Sequence, residues 1–327
     1  MIVSLRSDAD AARVQRELAA RGLWVARVER DRAGRAAHYV IAPWSARVDV
    51  DELARVEGVA GVTSSSSPWP LVEKQGPSVD VAGVRLGGAR KALLAGPCSI
   101  ESEAHVRDVA ARLAPLGVSF LRGGAFKPRT SPYAFHGHGE VALGWMRRAA
   151  EAHGLRVVTE VMSEADVPIV AEHAHLVQIG SRNMSNFALL HAVGRTGRAA
   201  LLKRGMAATI EEWLLAGEHL LSSGASAVVF CERGVRSFDE STRNLLDVGA
   251  VALLAHVHGA PVIVDPSHGA GRRDLVLPLA RAGLAAGAVG VMVEVHDDPA
   301  SALSDGPQAL AVAELARLAG ELAEDAR

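Results

Sequence analysis

Cysteine is nearly missing from this chain. The two that occur among 327 residues, Cys98 and Cys231, stand too far apart to form a local disulfide framework, so a reducing, cytoplasmic setting is expected. Excess charge of one sign is lacking too. Lys and Arg number 35 against 37 Asp and Glu, a net charge of −2, which argues against a nucleic-acid or membrane surface. No apolar run is long enough to span a bilayer, and the opening M-I-V-S-L-R-S-D-A-D becomes charged too soon for a signal peptide. Aromatic residues make up only 4%. What is present is an apolar half (49%) rich in Ala and Gly, enough for a sizeable core in one large domain or two.

The chain divides around residues 64–77, S-S-S-S-P-W-P-L-V-E-K-Q-G-P, where Ser, Pro and Gly replace any periodic apolar pattern. Before it, strands are predicted at 2–5, 23–29, 37–42 and 59–63, with helices at 8–21 and 50–57. The order βαββαβ predicts a small ferredoxin-like domain over residues 1–66, a fold suited to sensing small ligands or to assembly. Residues 67–78 read as a linker. Over 79–327, after a hairpin signal near 80–87, strand and helix alternate eight times. The strands fall at 92–97, 119–123, 157–161, 176–180, 199–203, 227–231, 261–265 and 290–295. Eight βα units in this length predict a TIM (β/α)8 barrel, with a doubly wound open sheet as the alternative.

A barrel places its chemistry at the C-terminal strand ends. Strands one, seven and eight bring Cys98, His268 and Glu294 there, and Asp305 follows in L-S-D-G-P-Q. Each has a bland reading alone: a buried Cys packs, Asp before Gly shapes a turn, and Glu pairs with an arginine. Packing and turn chemistry do not predict all four on adjacent strand ends. One thiolate, one imidazole and two carboxylates match no closed structural zinc site; they suit a catalytic divalent ion with an open position. Cys231, across the barrel, is expected to pack.

Strands two, four, five and six end on cations, Arg122, Arg182, Lys203 and Arg233, with Lys127 and Arg129 in L-R-G-G-A-F-K-P-R-T-S. Barrel guanidinium groups are costly without anions, so this arc implies a highly anionic substrate, with Glu160 and Glu232 as structural partners for part of the charge. His136 and His138, in F-H-G-H-G-E, lack a carboxylate partner and are expected to have no direct role. The loop S-H-G-A-G-R-R-D could hold phosphate at a helix N-terminus, or Arg272 and Arg273 could be structural.

The motifs A-G-P-C-S-I-E-S, L-R-G-G-A-F-K-P-R-T-S-P, Q-I-G-S-R-N, L-L-K-R-G, C-E-R-G-V-R, V-D-P-S-H-G-A-G-R-R-D-L and E-V-H-D-D-P-A-S-A-L-S-D-G-P-Q run in unbroken order. Together they closely resemble the 3-deoxy-D-arabino-heptulosonate 7-phosphate synthases, and the N-terminal pattern resembles the ACT-related regulatory domain of one subgroup. The resemblance implies condensation of phosphoenolpyruvate with D-erythrose 4-phosphate, the first step of the shikimate pathway. It implies Cys98, His268, Glu294 and Asp305 as ligands of Mn²⁺, or of Fe²⁺, Co²⁺ or Zn²⁺. It assigns Arg122, Lys127, Arg182, Lys203 and Arg233 to phosphoenolpyruvate, and Arg129 and Thr130 to erythrose 4-phosphate. Lys127 is the expected proton donor, and His268 and Asp305 are the other candidates for proton transfer. The chain departs from the pattern at Ala134, His136, His138 and Ser181, where Ser, Gln, Leu and Ala are usual, and throughout the N-terminal domain.

The nearest rival is 3-deoxy-D-manno-octulosonate 8-phosphate synthase, which uses arabinose 5-phosphate; its loop reads K-A-N-R-S-S where this chain has K-P-R-T-S. A metal-dependent aldolase and a non-catalytic, ligand-sensing barrel are more distant readings. The N-terminal domain is expected to dock near the active-site mouth or across a subunit interface. There it would bind tyrosine or phenylalanine in a homo-oligomer, a dimer or tetramer.

Overall fold

Alternating apolar runs and amphipathic helices bury themselves as two compact units, Met1–Pro68 and Trp69–Arg327, in a computed structural model that describes residues 1–64, 67–127, 133 and 135–324. The first unit runs β1 (Ile2–Leu5), α1 (Ala11–Ala20), β2 (Val25–Arg30), β3 (Ala36–Ile41), α2 (Val50–Ala54) and β4 (Val59–Thr63). Its sheet order is β2-β3-β1-β4, with β1 antiparallel to both neighbours, which is the ferredoxin-like arrangement. Helix α1 starts later than the sequence predicts because Asp10 is the cap, its carboxylate accepting from Arg13 N at 3.1 Å. Val3, Val14, Leu18, Leu53 and Val59 form this unit's own core.

Part of the expected linker is helical. Residues Pro70–Gln75 form α3, which belongs to the second unit. Its first turn leaves backbone N–H groups without intrahelical partners. Leu71 N and Val72 N donate to the Glu218 carboxylate at 3.0 Å, and Gln75 exchanges two hydrogen bonds with the Val228 backbone, at 2.7 and 2.9 Å. Six residues are too few to show a helical period in sequence.

Next comes a hairpin, β5 (Val79–Val81) and β6 (Val84–Leu86), and then the barrel. Its strands are β7 (Ala92–Gly96), β8 (Phe120–Arg122), β9 (Arg156–Val161), β10 (Leu176–Ile179), β11 (Ala199–Lys203), β12 (Val228–Glu232), β13 (Val262–Val264) and β14 (Gly290–Glu294). Each lies within one residue of its predicted ends. All pairs are parallel, and β14 closes on β7 from Gly290 opposite Ala92 to Glu294 opposite Gly96. The helices are α4 (Glu103–Leu113), α5 (Glu140–Ala152), α6 (Val167–His173), α7 (Phe187–Gly194), α8 (Ile210–Ser222), α9 (Val248–Ala252), α10 (Pro266–Ala270), α11 (Arg273–Ala285) and α12 (Val312–Glu324). Helix α8 shows why they form. Thr209 and Glu212 make a reciprocal capping box, and Trp213, Leu214, Ala216, Gly217 and Leu220 make one buried face.

Inside the barrel, Leu94, Phe120, Leu201, Cys231 and Met292 pack with Val79, Val81 and Leu86 of the hairpin. Cys231 packs, as its sequence context predicts. Arg156, at the start of β9, donates to Ala82 O at 2.7 Å, which holds the hairpin under the N-terminal strand ends. The plugged end leaves the opposite, C-terminal mouth for chemistry. Among the described residues no helix is long and apolar enough to cross a membrane.

Candidate active site at the C-terminal mouth of the barrel

Two glycines let the strand ends come close. Gly96 has φ +155°, and a Cβ there would stand 2.1 Å from the Arg122 carbonyl oxygen; a Cβ on Gly180 would stand 2.0 Å from Glu160 Oε1. The first fixes β7 against β8, so Cys98 and Arg122 leave the barrel side by side.

Cys98, Glu294 and Asp305 offer donor atoms within 4.8 Å of one another. The Cys98 thiol donates to Asp305 Oδ2 at 3.0 Å, and His268 reaches the group through Glu294, its Nε2 3.3 Å from Oε1. Asp305 sits at φ +53°, in the left-handed region, which turns its carboxylate back toward the β7 loop. Burial, with Glu294 beside it, pushes the Cys98 thiol up to about 12. Burial also raises Glu294 and Asp305, but His268 and Arg122 outweigh it at Glu294. The Cys98 hydrogen bond and the charges of His268, Lys127 and Arg243 outweigh it at Asp305, so both carboxylates lie below the usual range. Ionised carboxylates held against a thiol fit a divalent cation, which would displace the thiol proton. A second group of ligand-type side chains, Glu101, His105 and His296, also occurs.

Arg122 is buried beneath this group, donating to Pro97 O at 2.9 Å and Glu294 Oε1 at 3.1 Å. Gln308 Nε2 holds the other Glu294 oxygen at 2.6 Å. Lys127 Nζ lies 2.9 Å from both the carbonyl oxygen and the sulfur of Cys98. Lys203, at the end of β11, meets Asp265 Oδ2 at 2.5 Å.

Lys127, Lys203, His268 and Asp305 border a cleft of about 910 Å³, counting its open mouth. Five cations line it, Lys127, Arg182, Lys203, Arg233 and Arg243, facing the carboxylates of Glu160 and Asp305. Burial depresses the Arg233 guanidinium, whose Nη1 donates to its neighbour's carbonyl, Gly234 O, at 3.5 Å. Glu232, expected to absorb cleft charge, instead pairs with Arg204 at 3.1 Å, and Glu160 accepts from Gln178 at 3.1 Å. Excess positive charge therefore remains in the cleft.

The structure brings together Cys98, Arg122, Lys127, Lys203, Arg233, His268, Glu294 and Asp305, with Arg182 on the cleft wall. Arg129 and Thr130 lie outside the described residues. His138 is spent on the Glu101 carbonyl at 3.0 Å, Arg272 pairs with Asp274 at 2.8 Å, and Arg273 donates to Gly306 O at 3.2 Å. Sequence reasoning passes over Asp265 and Arg243. Asp265 reads as the last residue of strand seven, and Arg243 lies in a loop with no motif; Arg243 stands 3.6 Å from Asp305 Oδ1.

Residues 70–327 match the model of the DAHP synthetase I family. Phospho-2-dehydro-3-deoxyheptonate aldolase of Thermotoga maritima is 46% identical over 267 residues, 80% of this chain and 79% of that protein. A crystal structure of the DAHP synthase of Thermotoga maritima superposes with a TM-score of 0.77 at 39% identity, covering 99% of this chain and 97% of that one. The 2-dehydro-3-deoxyphosphooctonate aldolase of Methylobacterium radiotolerans is 32% identical over 271 residues, 77% of this chain and 95% of that protein. The similarity favours the heptonate over the octonate enzyme.

Proposed function

The chain belongs to the DAHP synthetase I family, and from that premise we propose that it condenses phosphoenolpyruvate with D-erythrose 4-phosphate. The products are 3-deoxy-D-arabino-heptulosonate 7-phosphate and inorganic phosphate, and the step opens the shikimate pathway to aromatic amino acids. One observation carries this reading: a thiol, an imidazole and two carboxylates converge beside a cleft of five cations. A tri-anionic substrate needs the cations, and an aldehyde acceptor needs a group that stabilises negative charge on its oxygen.

Cys98, His268, Glu294 and Asp305 would hold Mn²⁺, or Fe²⁺, Co²⁺ or Zn²⁺, which when bound supplies Lewis-acid polarisation of that oxygen. Arg182 and Arg233 take the phosphate of phosphoenolpyruvate, for which guanidinium forks are shaped, and burial leaves Arg233 the most to gain from an anion. Lys203, steadied by Asp265, lies with Lys127 toward the carboxylate and the reacting carbons. Arg122 acts from below by keeping Glu294 ionised and oriented.

The enol carbon of phosphoenolpyruvate forms the new bond to the aldehyde carbon, and Lys127 delivers a proton to the aldehyde oxygen. Water adds at the carbon bearing the phosphate and loses a proton, and carbon–oxygen cleavage of the hemiketal phosphate releases inorganic phosphate. Arg129 and Thr130 of K-P-R-T-S hold the sugar phosphate. The ferredoxin-like unit contributes nothing to these steps; its role is regulation by tyrosine or phenylalanine in a cytoplasmic homo-oligomer.

The deciding assay is phosphate release by the purified full chain given both substrates and Mn²⁺. Turnover that chelator removes and Mn²⁺ restores is expected. No release with any of the four ions, or full turnover after exhaustive metal removal, would sink the reading.

A further inference from the structure

Beside the site lies a second set of donors that the proposed chemistry does not use. Glu101 follows β7, His105 stands on the first turn of α4, and His296 and Asp297 follow β14. The imidazoles of His105 and His296 are tilted against each other with centroids 4.5 Å apart. Asp297 Oδ1 is shared between them, 3.0 Å from His105 Nε2 and 3.2 Å from His296 Nδ1. The opposite ring nitrogens, His105 Nδ1 and His296 Nε2, are buried and have no hydrogen-bond partner. The His296 side chain is only 6% exposed, and its Nε2 points at Glu101 Oε1, 3.6 Å away.

Buried polar atoms rarely go without a partner. Donor atoms of Glu101, His105 and His296 lie within 4.8 Å of one another. In a tetrahedral zinc site, with bonds of about 2.0–2.1 Å, neighbouring donors stand roughly 3.4 Å apart, close to the His296–Glu101 distance. A carboxylate that accepts from the far nitrogen of a ligating imidazole is the usual support for such a ligand, and Asp297 is placed to do this for both rings. In the structure His296 Nδ1 accepts from the Asp298 N–H at 3.0 Å; a cation at Nε2 requires the other tautomer, in which Nδ1 carries the proton, gives up that bond and donates to Asp297, 3.2 Å away.

We propose that Glu101, His105 and His296 form a second cation site, for one borderline divalent ion such as Zn²⁺, oriented by Asp297. It has no thiolate and is separate from the Cys98 group. Its place in the chain gives it a consequence. Glu101 comes three residues after Cys98, and its carboxylate accepts from Leu303 N at 2.8 Å, two residues before Asp305. His296 comes two residues after Glu294. An ion here ties the β7 loop to the β14 loop, the two segments that carry three of the four donors of the first group.

The test is a zinc count by equilibrium dialysis on the full chain. In a Cys98→Ser, Asp305→Asn background, which disables the first group, one zinc per chain is expected to remain. Adding Glu101→Gln or His105→Asn is expected to weaken that binding about tenfold or more. No zinc on the background variant, or zinc undiminished by both added changes, would overturn the site. Circular dichroism checks folding. If the background does not fold, the otherwise unchanged chain decides: two zinc ions falling to one in Glu101→Gln supports the site, and no change refutes it.

Discussion

Asp265 Oδ2 lies 2.8 Å from His268 Nδ1, so a carboxylate absent from the sequence-predicted site sets the imidazole that belongs to it. The same oxygen holds Lys203, and Asp265 Oδ1 caps α10 by accepting from His268 N at 3.0 Å. Burial alone would raise this carboxyl, yet His268 and Lys203 hold it well below the usual range. Asp265→Asn keeps a good cap but removes the charge. Metal affinity is expected to fall roughly 10–100-fold. Stability should fall by about 3 kcal/mol, because Lys203 stays buried without a counter-charge. Adding Lys203→Met should restore stability, read by urea unfolding, without restoring metal affinity. Unchanged affinity in Asp265→Asn would mean that His268 is oriented by its backbone alone.

Sugar choice rests on K-P-R-T-S. Arg129→Ala should raise the KM for erythrose 4-phosphate about tenfold or more, the cost of a charge-assisted hydrogen bond, while leaving the KM for phosphoenolpyruvate near its starting value. With phosphoenolpyruvate fixed, erythrose 4-phosphate should greatly outperform arabinose 5-phosphate. Steady-state kinetics with both sugars checks this, and a preference for the five-carbon sugar would refute it.

Truncation should depend on where the cut falls. Removing Met1–Pro68 takes away one compact unit and should leave catalysis measurable while abolishing any inhibition by tyrosine or phenylalanine. Removing residues 1–77 also strips α3, whose Val72 is fully buried in the barrel core and whose Gln75 pairs with the β12 backbone. That longer deletion should lower the melting temperature measurably. If the full chain ignores all three aromatic amino acids, the regulatory role fails and the catalytic one stands.

His175 provides a pH-dependent test of stability. Burial, followed by the charges of Arg147, Arg156 and Arg198, lowers its pKa from 6.5 to about 4, and Val157 N donates to its Nδ1 at 3.0 Å. The folded chain therefore takes up this proton less readily than the unfolded chain. The contribution is fully present above about pH 6.5 and is lost as pH falls through about 4. Urea midpoints across that window should fall less steeply in His175→Asn than in the wild type. Identical slopes would refute it.

The barrel was legible because eight apolar runs separated by amphipathic helices leave little choice of architecture once each face must be buried. The donors at strand ends were legible for the same reason: once the strands close, β14 lies beside β7, and Cys98, Glu294 and Asp305 must approach. Helix α3 was not, since its turn depends on the Glu218 carboxylate far along the chain to satisfy its N–H groups.

Sequence by itself determined which residue types stand at which strand end, because that follows from local periodicity and punctuation. Only the tertiary structure decided how they are partnered. Asp265 serves His268 and Lys203, Arg122 serves Glu294, Arg204 takes the charge of Glu232, and Arg243 joins the cleft. The same holds for Glu101, His105 and His296, which carry no shared motif. Such pairings depend on distances of a few ångströms between segments up to two hundred residues apart, and those distances exist only once the barrel has closed.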